Sequence, residues 1–375
     1  MRVCHITSRH RWDDVRIYQR ACIGLLNKGL EIHLIATFPE QLPEESGVQF
    51  HWLKQRNGWG KRILSSREAY KCSLKIEADV FHFHDPDLLP WMLLLSFKGK
   101  KVIYDIHENY TERLLGLKFP NLLKLLLFKL WLKFERYCVD EFAGIITTTF
   151  SMQDLFSDIN TPKIVVSNTP YLSSLGISNM NTDKMPFTIY TSGSHSDKRH
   201  CMQTIEALPL ILKKIPEARL IFAGTYFPDN YAIKLKSKAK ELGVEIRVKT
   251  DGMLPYKENL TRTAQMEVGC VFYEDNVNNR VTVPNRLFEY MYAGVAVIGE
   301  SFNEVKMVIE ESNCGCVVNS SDPESIAEGI IRLFSDIPGL RKMQSNARNR
   351  IVSTYSYEYE LEKMINFYNT LIMSK

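Results

Sequence analysis

The run Pro284-Asn285-Arg286-Leu287-Phe288-Glu289-Tyr290 gathers groups able to hold a diphosphate and a ribose. Pro284 fits the opening turn of a helix, where its missing N–H costs nothing. Glu289 then falls four positions after Asn285 and three after Arg286, which puts the three on one helix face. Free N–H groups at a helix start, beside a guanidinium, make an anion site suited to a diphosphate. Glu289, one turn further in, is an acceptor-only group placed to take paired hydroxyls. The plainer alternative is a surface ion pair between Arg286 and Glu289.

Other groups cluster at the ends of apolar runs. Phe81-His82-Phe83-His84-Asp85-Pro86-Asp87 puts two imidazoles on one strand face by period two, with Asp85 able to cap the helix that Pro86 begins. Two histidines with carboxylates can be read as a metal site, but no third ligand is evident nearby, and no metal is expected. His107-Glu108 ends the next run, where a histidine either satisfies a structural bond or holds a substrate hydroxyl. Tyr190-Thr191-Ser192-Gly193 ends in a glycine turn shortly before Lys198-Arg199, a basic pair that is either solvated charge or a grip on an anion. Asp13 or Asp14 can cap a helix carrying Arg16, and Asn168 precedes Thr169-Pro170 as either a turn or a site residue.

Twelve short apolar runs must position these groups. Residues 3–7, 31–36, 80–83, 101–106, 144–148 and 164–167 alternate with helical patterns; the series restarts at 187–191, 219–223, 245–249, 269–273, 295–298 and 316–318. An amphipathic stretch over 15–28 stops at Gly29. Strand–helix–strand repetition predicts an α/β chain with two doubly wound parallel sheets, each binding ligands beyond its strands' carboxyl ends. The expected domains are 1–170 and 187–350, a Ser/Asn/Gly-rich linker over 171–186, and a terminal helix over 351–375 packing back towards the first domain.

Bulk properties agree with two globular domains in 375 residues, at 45% hydrophobic and 24% charged. A net charge of +4 does not point to nucleic acid, and the absence of G-x-G-x-x-G argues against a dinucleotide oxidoreductase. The eight cysteines have no ladder of spacings, and Cys314-Gly315-Cys316 lacks the second pair of a zinc site. With no secretory segment ahead of the first strand, a cytoplasmic setting is expected. Residues 122–136 form a helical run of Leu, Phe and Trp broken by lysines too often for a membrane span. Lys129, Lys133 and Arg136 make one stripe, extended by Lys118 if the helix starts early. Either the segment is deeply packed, burying Leu126 and Trp131, or it lies on anionic lipid with its lysines snorkelling.

The run P-N-R-L-F-E-Y-M, followed by Ala293-Gly294, resembles the nucleotide-sugar motif of retaining GT-B glycosyltransferases of family four, in the branch reading P-N-K/R-L-F-E-Y. The resemblance covers nearly the whole chain and implies two Rossmann-like domains facing a central cleft. It makes Glu289 the ribose ligand; the family's other glutamate falls at Val281, which cannot accept a hydrogen bond. Gly193 and Arg199 resemble the family's glycine turn and diphosphate grip. Ser194 and His200 stand where a second basic residue and a glycine are common, so Arg286 would complete the clamp. Asp13-Asp14-Val15-Arg16-Ile17 resembles the branch's D-x-R-I segment, and His84 with Asp85 its cleft-lining H-x-H-D-P. His107 resembles the histidine facing the reacting sugar, Glu108 the usual acidic neighbour, and Asn168 the asparagine before the linker. The implied reaction moves a sugar from a nucleoside diphosphate sugar to an acceptor hydroxyl with retention, in cell-surface polysaccharide or glycolipid assembly. His107, Arg199 and Arg286 would be catalytic, with no metal or other cofactor and with a lipid-linked acceptor at the inner membrane face. The rivals are a GT-B sugar-nucleotide epimerase and a catalytically silent binding subunit.

Overall fold

The computed structural model describes residues 1–37, 46–54, 56, 59–107, 109, 121–172 and 183–373. Contacts divide the chain into two compact units, Met1–Asn168 with Tyr357–Lys375, and Thr169–Ser356. Glu108, Lys118 and residues 173–182 of the anticipated linker lie outside the described residues.

The first unit carries the parallel strands β1 (Arg2–Ile6), β2 (Glu31–Thr37), β3 (Gln49–Leu53), β4 (Val80–Phe83), β5 (Val102–Ile106), β6 (Gly144–Thr147) and β7 (Lys163–Val165) in the order β3-β2-β1-β4-β5-β6-β7. The order reverses between β1 and β4, where a crevice opens at the carboxyl ends. Strands β4, β5 and β6 are buried along their whole length, as a parallel sheet covered on both faces requires. The edge strand β3 was not anticipated: among the described residues it pairs only with β2, and its alternation of polar and apolar residues hid it.

The amphipathic stretch after β1 is π-wound over Val15–Cys22 and α-helical over Ile23–Asn27. Asp14 is its cap, accepting from the N–H groups of Arg16 and Ile17, while Asp13 pairs with Arg11. At the other terminus, residues 351–353 still belong to helix Ile337–Ser353; the last helix is Tyr357–Met373 and groups with the first unit. It buries Tyr357, Leu361, Met364, Tyr368 and Leu371 at helical spacing. Two glycines let it approach: a Cβ on Gly24 would sit 2.5 Å from Leu361, and one on Gly144 would sit 2.6 Å from Phe367. That approach brings Tyr368 to His82.

The second unit holds β8 (Thr188–His195), β9 (Arg219–Tyr226), β10 (Val248–Asp251), β11 (Val268–Val271), β12 (Ala296–Glu300) and β13 (Gly315–Val318), all parallel, in the order β10-β9-β8-β11-β12-β13. Its switch point lies between β8 and β11. Two details differ from the apolar pattern. Residues 245–247 form a 3-10 turn ahead of β10. Strand β8 does not turn at Gly193 but stays paired with β9 through His195. Gly193 has φ +97° within that ladder, which favours glycine.

Helix Asn121–Asp140 answers the question left by its composition. Leu126 is 55% exposed and Leu122 86% exposed, with Leu123, Leu125, Leu127 and Leu130 also exposed. Deep packing of Leu126 is therefore excluded; Trp131 is half-buried. Arg136 leaves the basic stripe, because it pairs with Asp158, whereas Lys129 and Lys133 stay exposed. Among the described residues, no helix is long and apolar enough to cross a membrane.

Candidate functional site

In the second unit the switch point is built around Tyr273, two residues past β11. The Arg199 guanidinium carbon lies 3.8 Å from its ring centre and that of Arg286 lies 4.6 Å away. Arg286 comes from helix Asn285–Tyr292, whose N-cap, rather than first turn, is Pro284. Its guanidinium is 7% exposed and donates to the carbonyls of Ser192 at 3.2 Å and Phe272 at 3.1 Å. Those carbonyls lie on either side of the switch point, so the residue is pinned by both strands. Its burial excludes the surface ion pair. Arg199 follows β8 on a 3-10 turn, Asp197–Arg199. Its neighbour Lys198 points outward to Glu274 at 3.0 Å, and the Glu274 N–H bonds the Lys198 carbonyl at 2.9 Å. The basic pair thus divides into a surface lysine and an inward arginine.

Burial, and next the charge of Arg286, lower the Arg199 pKa from its ordinary value. Two cations held close together against one aromatic ring make a site that an anion relieves. Asn285 is exposed and Glu289 half-buried on the same short helix. Leu287 is fully buried; its side chain serves the core, which corrects its place among the ligand-binding residues. Charged hydrogen bonds contribute ~1.5–3 kcal/mol, so Glu289→Gln is expected to weaken nucleotide-sugar binding at least tenfold by calorimetry. Unchanged affinity would remove Glu289 from the site.

The first unit concentrates its polar groups at the β1/β4 crevice. Asp85 accepts from Thr7 Oγ1 at 2.7 Å, Ser8 N at 2.8 Å and Arg9 N at 3.1 Å, with His10 Nδ1 3.0 Å from its other oxygen. It does not cap the turn Pro86–Leu88, which has no side-chain cap bond. The backbone donors of the Ser8–Arg9 loop are thereby spent on a carboxylate of the protein, so this loop has little left to cradle a phosphate. Burial opposes charge at His10, but the Asp85 carboxylate overcomes it and raises its pKa.

Behind this loop lies Asp105, 2% exposed. Arg16 grips both its oxygens, at 2.8 and 3.3 Å. His107 Nε2 stands 3.0 Å from Oδ2, His84 Nδ1 3.3 Å and His82 Nε2 3.4 Å. The rings also touch one another: His5 Nδ1 to His84 Nε2 and His84 Nδ1 to His107 Nε2 are each 3.1 Å, and His82 Nδ1 is 2.6 Å from Tyr368 Oη. Burial holds His5 and His84 well below the ordinary histidine pKa and lowers His82. Burial works against ionised Asp105 too, yet Arg16 and His107 depress its pKa strongly. Third ligands for a metal are therefore present: His84, Asp105 and His107 bring ligand atoms within 4.8 Å of one another, as do His5, His82 and His84. Arg16 already supplies Asp105 with a cation. Asn168 accepts from Arg20 through its carbonyl at 3.1 Å and through its side chain, anchoring the first helix.

Residues 178–350 match the family model described as glycosyl transferases group 1, and residues 16–169 match the model described as glycosyltransferase family 4. The chain is a family-four glycosyltransferase of the GT-B fold. The transferase is 23% identical over 297 residues to the GDP-mannose:cellobiosyl-diphosphopolyprenol alpha-mannosyltransferase of Xanthomonas oryzae pv. oryzae, covering 78% of this chain and 74% of the relative. Its fold resembles sucrose-phosphate synthase from Thermosynechococcus elongatus, with a TM-score of 0.75, 13% identity and full coverage of both chains. It also resembles Anabaena HepE in complex with UDP, with a TM-score of 0.73, 13% identity, and coverage of 99% of this chain and 100% of that one.

The structure brings Arg199 and Arg286 of the transferase together over Tyr273, and sets Arg16, His84 and His107 around Asp105. Sequence reasoning missed Tyr273, Asp105 and His5. Each carried a faint signal: an aromatic just past a strand end, and polar residues inside strands otherwise made of apolar side chains.

Proposed function

We propose that the transferase moves a glycosyl group from a nucleoside diphosphate sugar to an acceptor hydroxyl, with the anomeric configuration retained, in polysaccharide or glycolipid assembly. The observation that carries this reading is the Arg199–Tyr273–Arg286 stack at the switch point. Among the described residues Arg199 makes no ion pair, so its charge is available to the departing diphosphate. Fixed cations aimed where charge develops lower the barrier without reorganising. In the first unit, His107 Nε2 is taken by Asp105, leaving Nδ1 to accept from a sugar hydroxyl. The Xanthomonas relative, named for a GDP-mannose donor and a diphosphopolyprenol acceptor, supports a lipid-linked acceptor for this chain. Incubation with a panel of UDP- and GDP-sugars and lipid-linked saccharides tests the reading. A glycosylated product with retained configuration is expected; an isomerised nucleotide sugar, or no turnover with intact binding, would replace it with the epimerase or the silent subunit.

The transferase is proposed to need no metal, since arginines and backbone dipoles handle the diphosphate. Activity should survive EDTA. Complete inhibition reversed by a divalent cation would instead install a metal at His84, Asp105 and His107.

Helix Asn121–Asp140 is proposed to attach the protein peripherally to an anionic cytoplasmic membrane face, with leucines at the interface and Lys129 and Lys133 beside them. Each near-surface cation contributes about 1 kcal/mol. Replacing both with Glu is expected to cut co-sedimentation with anionic vesicles by at least thirtyfold, with nucleotide binding unchanged. Attachment should weaken with salt, as the Debye length falls from ~10 Å at 0.1 M to ~3 Å at 1 M. No binding of the wild type to anionic or neutral vesicles would sink the attachment.

A further inference from the structure

Residue 200 precedes helix Cys201–Leu212 with left-handed backbone, φ 48° and ψ 36°, a conformation that glycine adopts freely and histidine does not. His200 holds it with Nδ1 2.5 Å from Ser320 Oγ. The Ser320 hydroxyl donates to the carboxylate of Glu300, which also accepts the Ser320 N–H at 3.4 Å. Glu300 ends β12, Ser320 follows β13, and both are buried. A hydroxyl that donates to a carboxylate has only lone pairs for its second neighbour, so Nδ1 of His200 carries the ring proton. Nε2 is then a bare acceptor, and no described residue meets it. Burial lowers the His200 pKa, against the pull of Glu274, which keeps the ring neutral near pH 7.

The imidazole walls a cleft of about 570 Å³, shared with Tyr273, Arg280, Glu300 and Phe302. That volume falls within the ~300–1,000 Å³ of small-molecule sites. Tyr273 is the same ring that carries Arg199 and Arg286, so the cleft begins where the diphosphate site ends. Its walls combine aromatic faces with hydrogen-bonding groups, a chemistry suited to a polyhydroxylated ring.

We propose that His200 is a specificity residue, accepting a hydrogen bond from a hydroxyl of the donor's glycosyl group through Nε2, with Ser320 and Glu300 fixing its tautomer. This rests on the nucleotide-sugar reading above. The tautomer lock is what gives the contact direction: a ring free to exchange tautomers would offer the hydroxyl a donor as readily as an acceptor.

His200→Gly is the cleanest test, because glycine suits the left-handed backbone and the variant should melt at or above the wild-type temperature. Binding of UDP, GDP and their glucose and mannose conjugates is measured by calorimetry, and KM by turnover. One lost hydrogen bond predicts a three- to tenfold weaker affinity for the preferred conjugate and a matching rise in KM. Affinity for the parent nucleoside diphosphate should not change. Asn tolerates the left-handed region and restores a side-chain acceptor, so His200→Asn should recover part of the loss. Ser320→Ala should reproduce the conjugate-specific loss by freeing the tautomer. Equal affinity of wild type and His200→Gly for the conjugate, with the diphosphate still bound, overturns the inference alone. Failure of the wild type to bind any of these nucleotides overturns the nucleotide reading and the inference with it.

Discussion

Arg199→Ala should lower turnover by about 10²–10³ while leaving the melting temperature within experimental error. The magnitude is that of deleting one preorganised group from an electrostatic transition-state site. The specificity of the loss follows from where the side chain sits. Arg199 is half-buried and stacks on Tyr273, and among the described residues it braces no carboxylate or carbonyl with its guanidinium. Its removal therefore relieves repulsion from Arg286 and gives up only the contact with Tyr273. Arg286 is the contrasting case: it ties the carbonyls of Ser192 and Phe272, so truncating it would confound folding with chemistry. Single-turnover rates with saturating donor separate the two contributions at Arg199, because a group acting only on ground-state binding would raise KM and spare the rate. Full transfer by a normally folded Arg199→Ala variant would refute the clamp.

How much of this was legible in sequence depends on how far apart the partners are. The alternation of apolar runs and helical patterns was readable because a parallel sheet covered on both faces turns each strand into a local, nearly continuous apolar segment. Edge strand β3 was not, since Gln49 and His51 interrupt its apolar residues and leave no continuous apolar run. Strand β8 runs on through Gly193-Ser194-His195, where composition reads as a turn and only pairing with β9 keeps the chain extended. The arginines were recognisable by position after a strand or at a helix start. What they share was not: Tyr273 lies 74 residues from Arg199 along the chain, and nothing in its neighbourhood announces two cations above it. Asp85 shows the same limit from the other side. A helix-capping role is the local expectation for Asp before Pro, yet its carboxylate is used 77 residues away on the loop after β1. Buried charge obeys long-range pairing, and local pattern does not carry it.

Asp105 is where that pairing has the largest consequence for stability. Removing one partner of a buried ion pair leaves the other uncompensated, at a cost of about 3–5 kcal/mol. Asp105→Asn should therefore destabilise the first unit by that amount, with Arg16 the stranded charge. All five tryptophans, Trp12, Trp52, Trp59, Trp91 and Trp131, belong to the first unit, so tryptophan fluorescence during urea unfolding reports on it selectively. Arg16→Met combined with Asp105→Leu should recover part of the loss, because the double variant strands no charge. The pH dependence follows from the same cluster. His5, His82 and His84 have depressed pKa values when folded, so below about pH 6.5 the unfolded chain takes up protons that the folded one refuses. Stability should therefore fall progressively as pH drops from 7 towards 5. Asp105 acts lower down: its own depressed pKa contributes stability above the unfolded value of ~3.9, lost as pH falls through the folded one. The variant should thus keep the histidine-driven decline and lose the Asp105 share of the later, carboxylate-driven one, to which Asp85, also depressed, still contributes. A first unit whose urea midpoint is flat between pH 7 and 5, or unmoved by Asp105→Asn, would mean that the cluster is hydrated rather than buried, with no stranded charge at Arg16 and no depressed titration at His5, His82 and His84.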